Sequence, residues 1–139
     1  DGMPGYMARK VRDAFTAVGR DIKGANIAVL GLSYLGDSDD ARNVPTEPFV
    51  EEMRAAGAIV RVHDPLVETY PGIEVEHDLA KVVKDADAVV LFTAHSPYRA
   101  IDLAWLRAQV RTPILVDGRH VWERAAAESA GFNFSAVGQ

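Results

Sequence analysis

Four short polar stretches hold most of the side chains that could do chemistry: 34–43, His63-Asp64, 93–98 and 117–120. Arg42 and Arg119 come from two of them, in a chain whose formal net charge is −5. Guanidinium groups suit phosphate oxygens through paired hydrogen bonds. The competing reading is local pairing, of Arg42 with Asp39 or Asp40 and of Arg119 with Asp117. His63, His95 and His120 lie in the same stretches, but zinc wants close, geometrically fixed ligands and these three show no such spacing. No metal site is expected.

The first stretch follows the apolar run Ile27 to Leu30 and opens at Gly31. Gly31-x-x-x-x-Gly36 keeps the outer glycines of a dinucleotide fingerprint and places Ser33 at the middle one, where glycine lets backbone approach a pyrophosphate. Asp64 could touch a ribose hydroxyl, although it lies further along the chain than that fingerprint puts its acid. Asp39-Asp40, with Asp64 and Thr93 after later strands, has some look of a phosphoacceptor receiver domain. That reading fails because the pair lies well past the first strand and no lysine follows Val116.

Periodicity supplies the elements that must position these residues. Tyr6 to Arg20 reads as an amphipathic helix with Met7, Val11, Phe15 and Val18 in one stripe. Ile27 to Leu30 is a buried strand, and Pro45, Thr46 and Pro48 start a helix that Gly57 ends. Ile59 to Val62 is a second strand, which makes a βαβ unit with a right-handed crossover. A short strand over Ile73 to Val75 and a helix capped by Asp78 and running through Val83 come next. Ala88 to Phe92 is the clearest parallel-sheet strand. Thr93 to Tyr98 reads as a loop, Leu103, Leu106 and Val110 as a helix face with Trp105 beside it, and Pro113 to Val116 as a strand. A helix over Val121 to Ala130 and a strand over Phe132 to Val137 complete the chain.

Strands alternating with helices predict an α/β fold, a Rossmann-like doubly wound parallel sheet with helices on both faces, preceded by one helix. In such a sheet the carboxyl ends of all strands share one edge, so the four polar stretches converge there. The opposite edge looks plain. Trp105 and Trp122 read as core or interface rather than as ligand platforms. The first helix either packs on its own domain or makes a domain or subunit contact.

Length and composition set outer bounds. A chain of 139 residues, about half apolar and one quarter charged, is sized for one domain with a real core. A nucleic-acid surface would need clustered Lys and Arg, and the acidic balance argues against it. No apolar run approaches membrane-spanning length. The absence of cysteine removes disulfides, thiolate metal sites and a cysteine nucleophile.

The run Ile27-Ala-Val-Leu-Gly-Leu-Ser-Tyr-Leu-Gly-Asp-Ser-Asp-Asp-Ala-Arg-Asn-Val-Pro45, followed by His63-Asp-Pro65, Ala86-Asp-Ala-Val-Val90 and Val116-Asp-Gly-Arg119, resembles the UDP-glucose/GDP-mannose dehydrogenase family in its third, UDP-sugar-binding domain. Gly2-Met-Pro-Gly-Tyr6 resembles the end of that family's central dimerisation region. The resemblance thus divides the chain into residues 1–24, the end of that region, and 25–139, the nucleotide-sugar domain. The Asp-Ser-Asp-Asp-Ala-Arg-Asn pattern is closer to members that oxidise UDP-N-acetylhexosamines than to UDP-glucose enzymes.

Such enzymes oxidise the C6 alcohol of a nucleotide sugar to a carboxylate in two NAD-dependent steps, through cysteine-bound intermediates. The resemblance therefore implies a cytoplasmic, homo-oligomeric oxidoreductase whose NAD is held mainly by another domain. It also implies that this cysteine-free stretch does not catalyse alone. Tyr34, Leu35 and Arg119 would bind substrate, Tyr34 as the aromatic at the sugar nucleotide and Arg119 at its diphosphate or at a neighbouring subunit's substrate. Leu35 stands where many relatives carry lysine. Arg42 would reach toward NAD at the domain interface. The alternatives are a stand-alone nucleotide-binding or regulatory module, and a domain that mainly builds a subunit interface through its first helix.

Overall fold

The computed structural model describes residues 2–33, 35–41 and 44–138. Strands β1 (Asn26–Leu30), β2 (Ile59–His63), β3 (Val75–Glu76), β4 (Ala88–Leu91), β5 (Ile114–Asp117) and β6 (Asn133–Ala136) form one sheet in the order β3-β2-β1-β4-β5-β6. Every pairing is parallel. The expected doubly wound sheet is therefore the one observed. Its strand order reverses between β1 and β4, the position whose carboxyl edge takes ligands in doubly wound sheets.

Helices α1 (Met3–Val18), α2 (Thr46–Ala55), α3 (Leu79–Val83), α4 (Ser96–Arg99), α5 (Leu103–Gln109) and α6 (Arg124–Ser129) cover the sheet. One face packs Met7, Val11 and Phe15 of α1 and Phe49, Val50 and Met53 of α2 against Ile27, Val29, Val90 and Val116. On the other face Val82, Leu106, Trp122 and Tyr98 pack against Ala28, Leu30, Val89, Leu91 and Leu115. Strands buried on both faces read as continuous apolar runs, which is why β1, β4 and β5 are legible without alternation.

The first helix packs on the sheet rather than standing apart. Pro4 sits in its first turn, where a missing N–H is harmless. Gly19, at φ 72°, ends it by letting the Gly19 and Arg20 amides donate back to Thr16 and Phe15 carbonyls. Met7, Val11 and Phe15 are almost wholly buried there, and the helix reaches β5 and β6 while α2 packs on β2.

Three expectations need correction. The segment from Thr93 to Tyr98 is not all loop, because Ser96 begins α4 and its amide and hydroxyl donate to the Asp37 carboxylate at 2.8 and 2.6 Å. The last helix begins at Arg124 rather than Val121, because Asp117 holds the preceding turn by accepting from Arg119 N–H and Trp122 N–H. The short strand is Val75–Glu76, while Ile73 is spent on a tight turn that bridges to Tyr70.

The amino edge is not plain either. The buried Asp87 carboxylate accepts from Asn26 N–H at 2.9 Å, from Thr112 Oγ1 at 2.7 Å and from Arg20 at 3.2 Å, with Arg111 at 3.8 Å. It ties the end of α1 to the base of β1 and β4. Burial pushes its pKa up, but the Asn26 and Thr112 bonds and the two arginines outweigh burial and hold it below the ordinary carboxylate value. A lowered folded pKa means a contribution present above the unfolded value and lost as pH falls through the folded one. Asp87→Asn should therefore cost about 2 kcal/mol at neutral pH in urea unfolding. The difference from wild type should shrink below about pH 4.

Candidate functional site

The carboxyl edge over β1, β4 and β5 is held by backbone contacts so close that side chains are excluded. Gly31, at φ +108°, would place a Cβ 2.4 Å from Thr93 Cβ. A Cβ on Gly36 would lie 2.4 Å from the Ala94 carbonyl oxygen, and one on Gly118 2.6 Å from the Leu91 carbonyl oxygen. The glycines of the β1 loop thus let it lie against the loop after β4.

Asp64 explains why the resemblance to a dinucleotide fingerprint is only partial. Its carboxylate is fully buried and accepts from Leu32 N–H at 2.7 Å, Leu66 N–H at 2.8 Å, Val67 N–H at 2.8 Å and His95 Nε2 at 3.0 Å. Four bonds use its acceptor capacity. Burial raises its pKa, yet the His95 bond and the three amides outweigh burial and keep it lowered. No lone pair is left for a ribose hydroxyl, so Asp64 is a brace between loops rather than a ligand group. Among the described residues Asp64 therefore offers no free acceptor to a dinucleotide ribose.

The histidines are likewise occupied. His95 Nδ1 accepts from Asp37 N–H at 2.9 Å, and its Nε2 faces both Asp64 and the Ser33 hydroxyl, the latter at 3.2 Å. Aspartate, histidine and serine meet here without forming a catalytic relay. A relay needs acid and serine on opposite ring nitrogens, whereas both share Nε2, and Ser33 gives its own proton to the Leu35 carbonyl at 2.6 Å. His63 Nδ1 meets the Tyr98 hydroxyl at 2.8 Å and Nε2 meets the His77 carbonyl at 3.3 Å. Burial holds the His63 ring below its ordinary pKa and pushes the Tyr98 hydroxyl far up. Among the described residues no group of three acidic or histidine side chains could hold a metal ion.

Of the substrate-binding candidates, Leu35 and Arg119 can be placed. Leu35 is 59% exposed, in a segment fixed on both sides by Ser33 and Asp37. Arg119 is half-buried in the turn that the Asp117 carboxylate organises. Asp117 spends its oxygens on backbone amides, and among the described residues no carboxylate pairs with the Arg119 guanidinium. Local pairing with Asp117 is thereby ruled out. β5 is two strands from β1, so the two loops start about 10 Å apart along the edge. Tyr34 and Arg42 lie outside the described residues. Trp122 is core, its Nε1–H donating to the Tyr98 carbonyl, and Trp105 is 36% exposed.

Sequence reading missed the roles of Ser33, His95 and Asp37 as the clamps of the β1 loop. Ser33 at the fingerprint's middle glycine was the available signal. Gly36→Ala should cost about 2 kcal/mol in chemical unfolding, since backbone oxygen cannot give way as a side chain can. Gly72→Ala is the control, because a Cβ there meets nothing within 4 Å and only its positive φ, +80°, is strained.

A family model for the UDP binding domain of the UDP-glucose/GDP-mannose dehydrogenase family matches residues 28–124. UDP-glucose 6-dehydrogenase of Rhizobium meliloti is 34% identical over 96% of the chain and 31% of that protein. UDP-N-acetyl-D-mannosamine dehydrogenase of Pyrococcus horikoshii is 35% identical over 99% of the chain and 31% of that protein. The crystal structure of NDP-N-acetyl-D-galactosaminuronic acid dehydrogenase from Methanosarcina mazei superposes with a TM-score of 0.95 at 36% identity, over 98% of this chain and 29% of that one. The chain spans about a third of the length of these relatives and matches their C-terminal part. A fold this similar, with the family's UDP-binding domain matched over most of its length, means that the chain belongs to the UDP-glucose/GDP-mannose dehydrogenase family.

Proposed function

We propose that residues 25–139 are the nucleotide-sugar-binding domain of an NAD-dependent nucleotide-sugar 6-dehydrogenase, with the UDP group lying on the carboxyl edge of the sheet. The observation that carries this reading is the Arg119 guanidinium, held at that edge by the Asp117 turn and left without a carboxylate partner among the described residues. A planar fork of donors so held suits a diphosphate. Leu35 beside Tyr34 offers apolar surface to the sugar nucleotide where a lysine would offer charge.

On this reading residues 1–24 are the end of a central dimerisation region, and the active enzyme is a cytoplasmic homo-oligomer. NAD is held by the rest of the enzyme, with Arg42 at the cofactor side of the interface. The chain has no cysteine, so a thiolate for the covalent steps comes from outside these residues. A UDP-N-acetylhexosamine is the proposed substrate class. It is supported by the Asp-Ser-Asp-Asp-Ala-Arg-Asn pattern, since identities of 36%, 35% and 34% to the Methanosarcina, UDP-N-acetylmannosamine and UDP-glucose enzymes do not rank the sugars.

Titration calorimetry of the chain with UDP and with UDP-N-acetylglucosamine tests the reading. Arg119→Ala should weaken UDP about 10- to 100-fold, the worth of charge-assisted hydrogen bonds, and Arg119→Lys should restore part of the loss. Unchanged UDP affinity in a folded Arg119→Ala protein would remove the assignment.

A further inference from the structure

The β1 loop from Leu32 to Asp37 carries two of the three proposed substrate-binding positions, and one buried ring reaches it from both sides. His95 is 0% exposed, directly after the β4 loop that Gly36 packs against. A backbone N–H can only donate, so Asp37 N–H fixes Nδ1 as the ring's lone-pair nitrogen. The ring proton is then on Nε2, shared between Asp64 Oδ2 and the Ser33 hydroxyl oxygen. Ser33 in turn donates to the Leu35 carbonyl, and Asp37 accepts from the amide and hydroxyl of Ser96. One imidazole thus joins the residue before Tyr34 to the residue after Gly36, and anchors both to the Asp64 brace.

We propose that His95 is a positioning residue for nucleotide-sugar binding: a neutral, Nε2-protonated splint that holds Ser33, Leu35 and Asp37 of the β1 loop in place without touching the ligand. This deepens the proposed function and rests on it for the ligand. The arrangement also accounts for Ser33 in place of a glycine. A glycine would free the loop from the ring and from the Leu35 carbonyl at once. Asparagine can bring an acceptor to the place of Nδ1 but cannot reach Asp64, while glutamine can bring a donor to the place of Nε2 but leaves the Asp37 amide without its acceptor.

The test uses the 139-residue chain as wild type, His95→Asn and His95→Gln. It reads amide hydrogen exchange, UDP affinity by calorimetry, and the ring tautomer of the wild type from imidazole nitrogen shifts. The expected results are the Nε2–H tautomer and UDP binding about tenfold weaker in both variants. Exchange should quicken at 33–36 in both variants while strands β1, β4 and β5 stay protected, with Asp37 N–H protected in His95→Asn and exposed in His95→Gln. An Nδ1–H tautomer would overturn the proposal even if neither variant folds. So would UDP affinity within twofold of wild type in folded variants, or exchange that rises uniformly over the domain, as a merely structural histidine would give. If wild type itself binds no UDP, the proposed function fails, and the tautomer and the Asp37 exchange pattern still decide whether His95 holds the loop.

Discussion

The Asp64 carboxylate is buried at the end of β2 and accepts from backbone amides on its own loop and on the loop after β1, and from His95 beyond β4. A buried carboxylate is tolerable only when its acceptors are filled, so this one dictates the conformation of everything that fills it. The β1 loop leaves the sheet where Leu32 N–H must point at Asp64. The β2 loop folds back so that Leu66 and Val67 can do the same. His95 must present Nε2–H inward, which turns Nδ1 toward the Asp37 amide. The described residues of the carboxyl edge at the strand-order reversal are thereby fixed before any ligand arrives, and pre-organisation reduces the ordering cost of binding.

Along this edge the side chains divide into braces and proposed contacts. Asp64, His95, Ser33 and Thr93 are buried and satisfied, and Asp117 fills both oxygens with amides. Leu35 and Arg119 are the described substrate-binding candidates, one exposed and apolar, the other half-buried and cationic. That pairing suits a nucleotide sugar, which has a diphosphate to neutralise and flat or apolar surfaces to cover. Helix α1 enters the same design, since Met7 packs within reach of the Gly118 backbone and so lies beneath the turn that carries Arg119.

Much of the fold was legible because its strands are buried on both faces, so β1, β4 and β5 stand out as uninterrupted apolar runs. Local capping chemistry was legible too, as with Asp78 accepting from Ala80 N–H at the start of α3. What escaped depended on partners distant in sequence. The α4 turn follows from Asp37, 59 residues away from Ser96, and the late start of α6 follows from Asp117 reaching forward to Trp122. Asp64 read as an acid that could touch a ribose because it follows the second strand, although further along the chain than the fingerprint puts its acid. Only its amide partners, one of them 32 residues away, identify it as a brace. The family resemblance pointed to the loop and the arginine that are proposed to meet substrate, while the reason Ser33 occupies the fingerprint's middle glycine needed the His95 geometry.

The most direct measurement is a backbone amide shift map of the chain titrated with UDP. The account predicts saturable shifts concentrated at residues 32–37 and 117–120, with the Arg119 guanidinium signal moving among the largest and the amino edge around Asp87 silent. Saturable shifts centred elsewhere, or none at millimolar UDP, would contradict it.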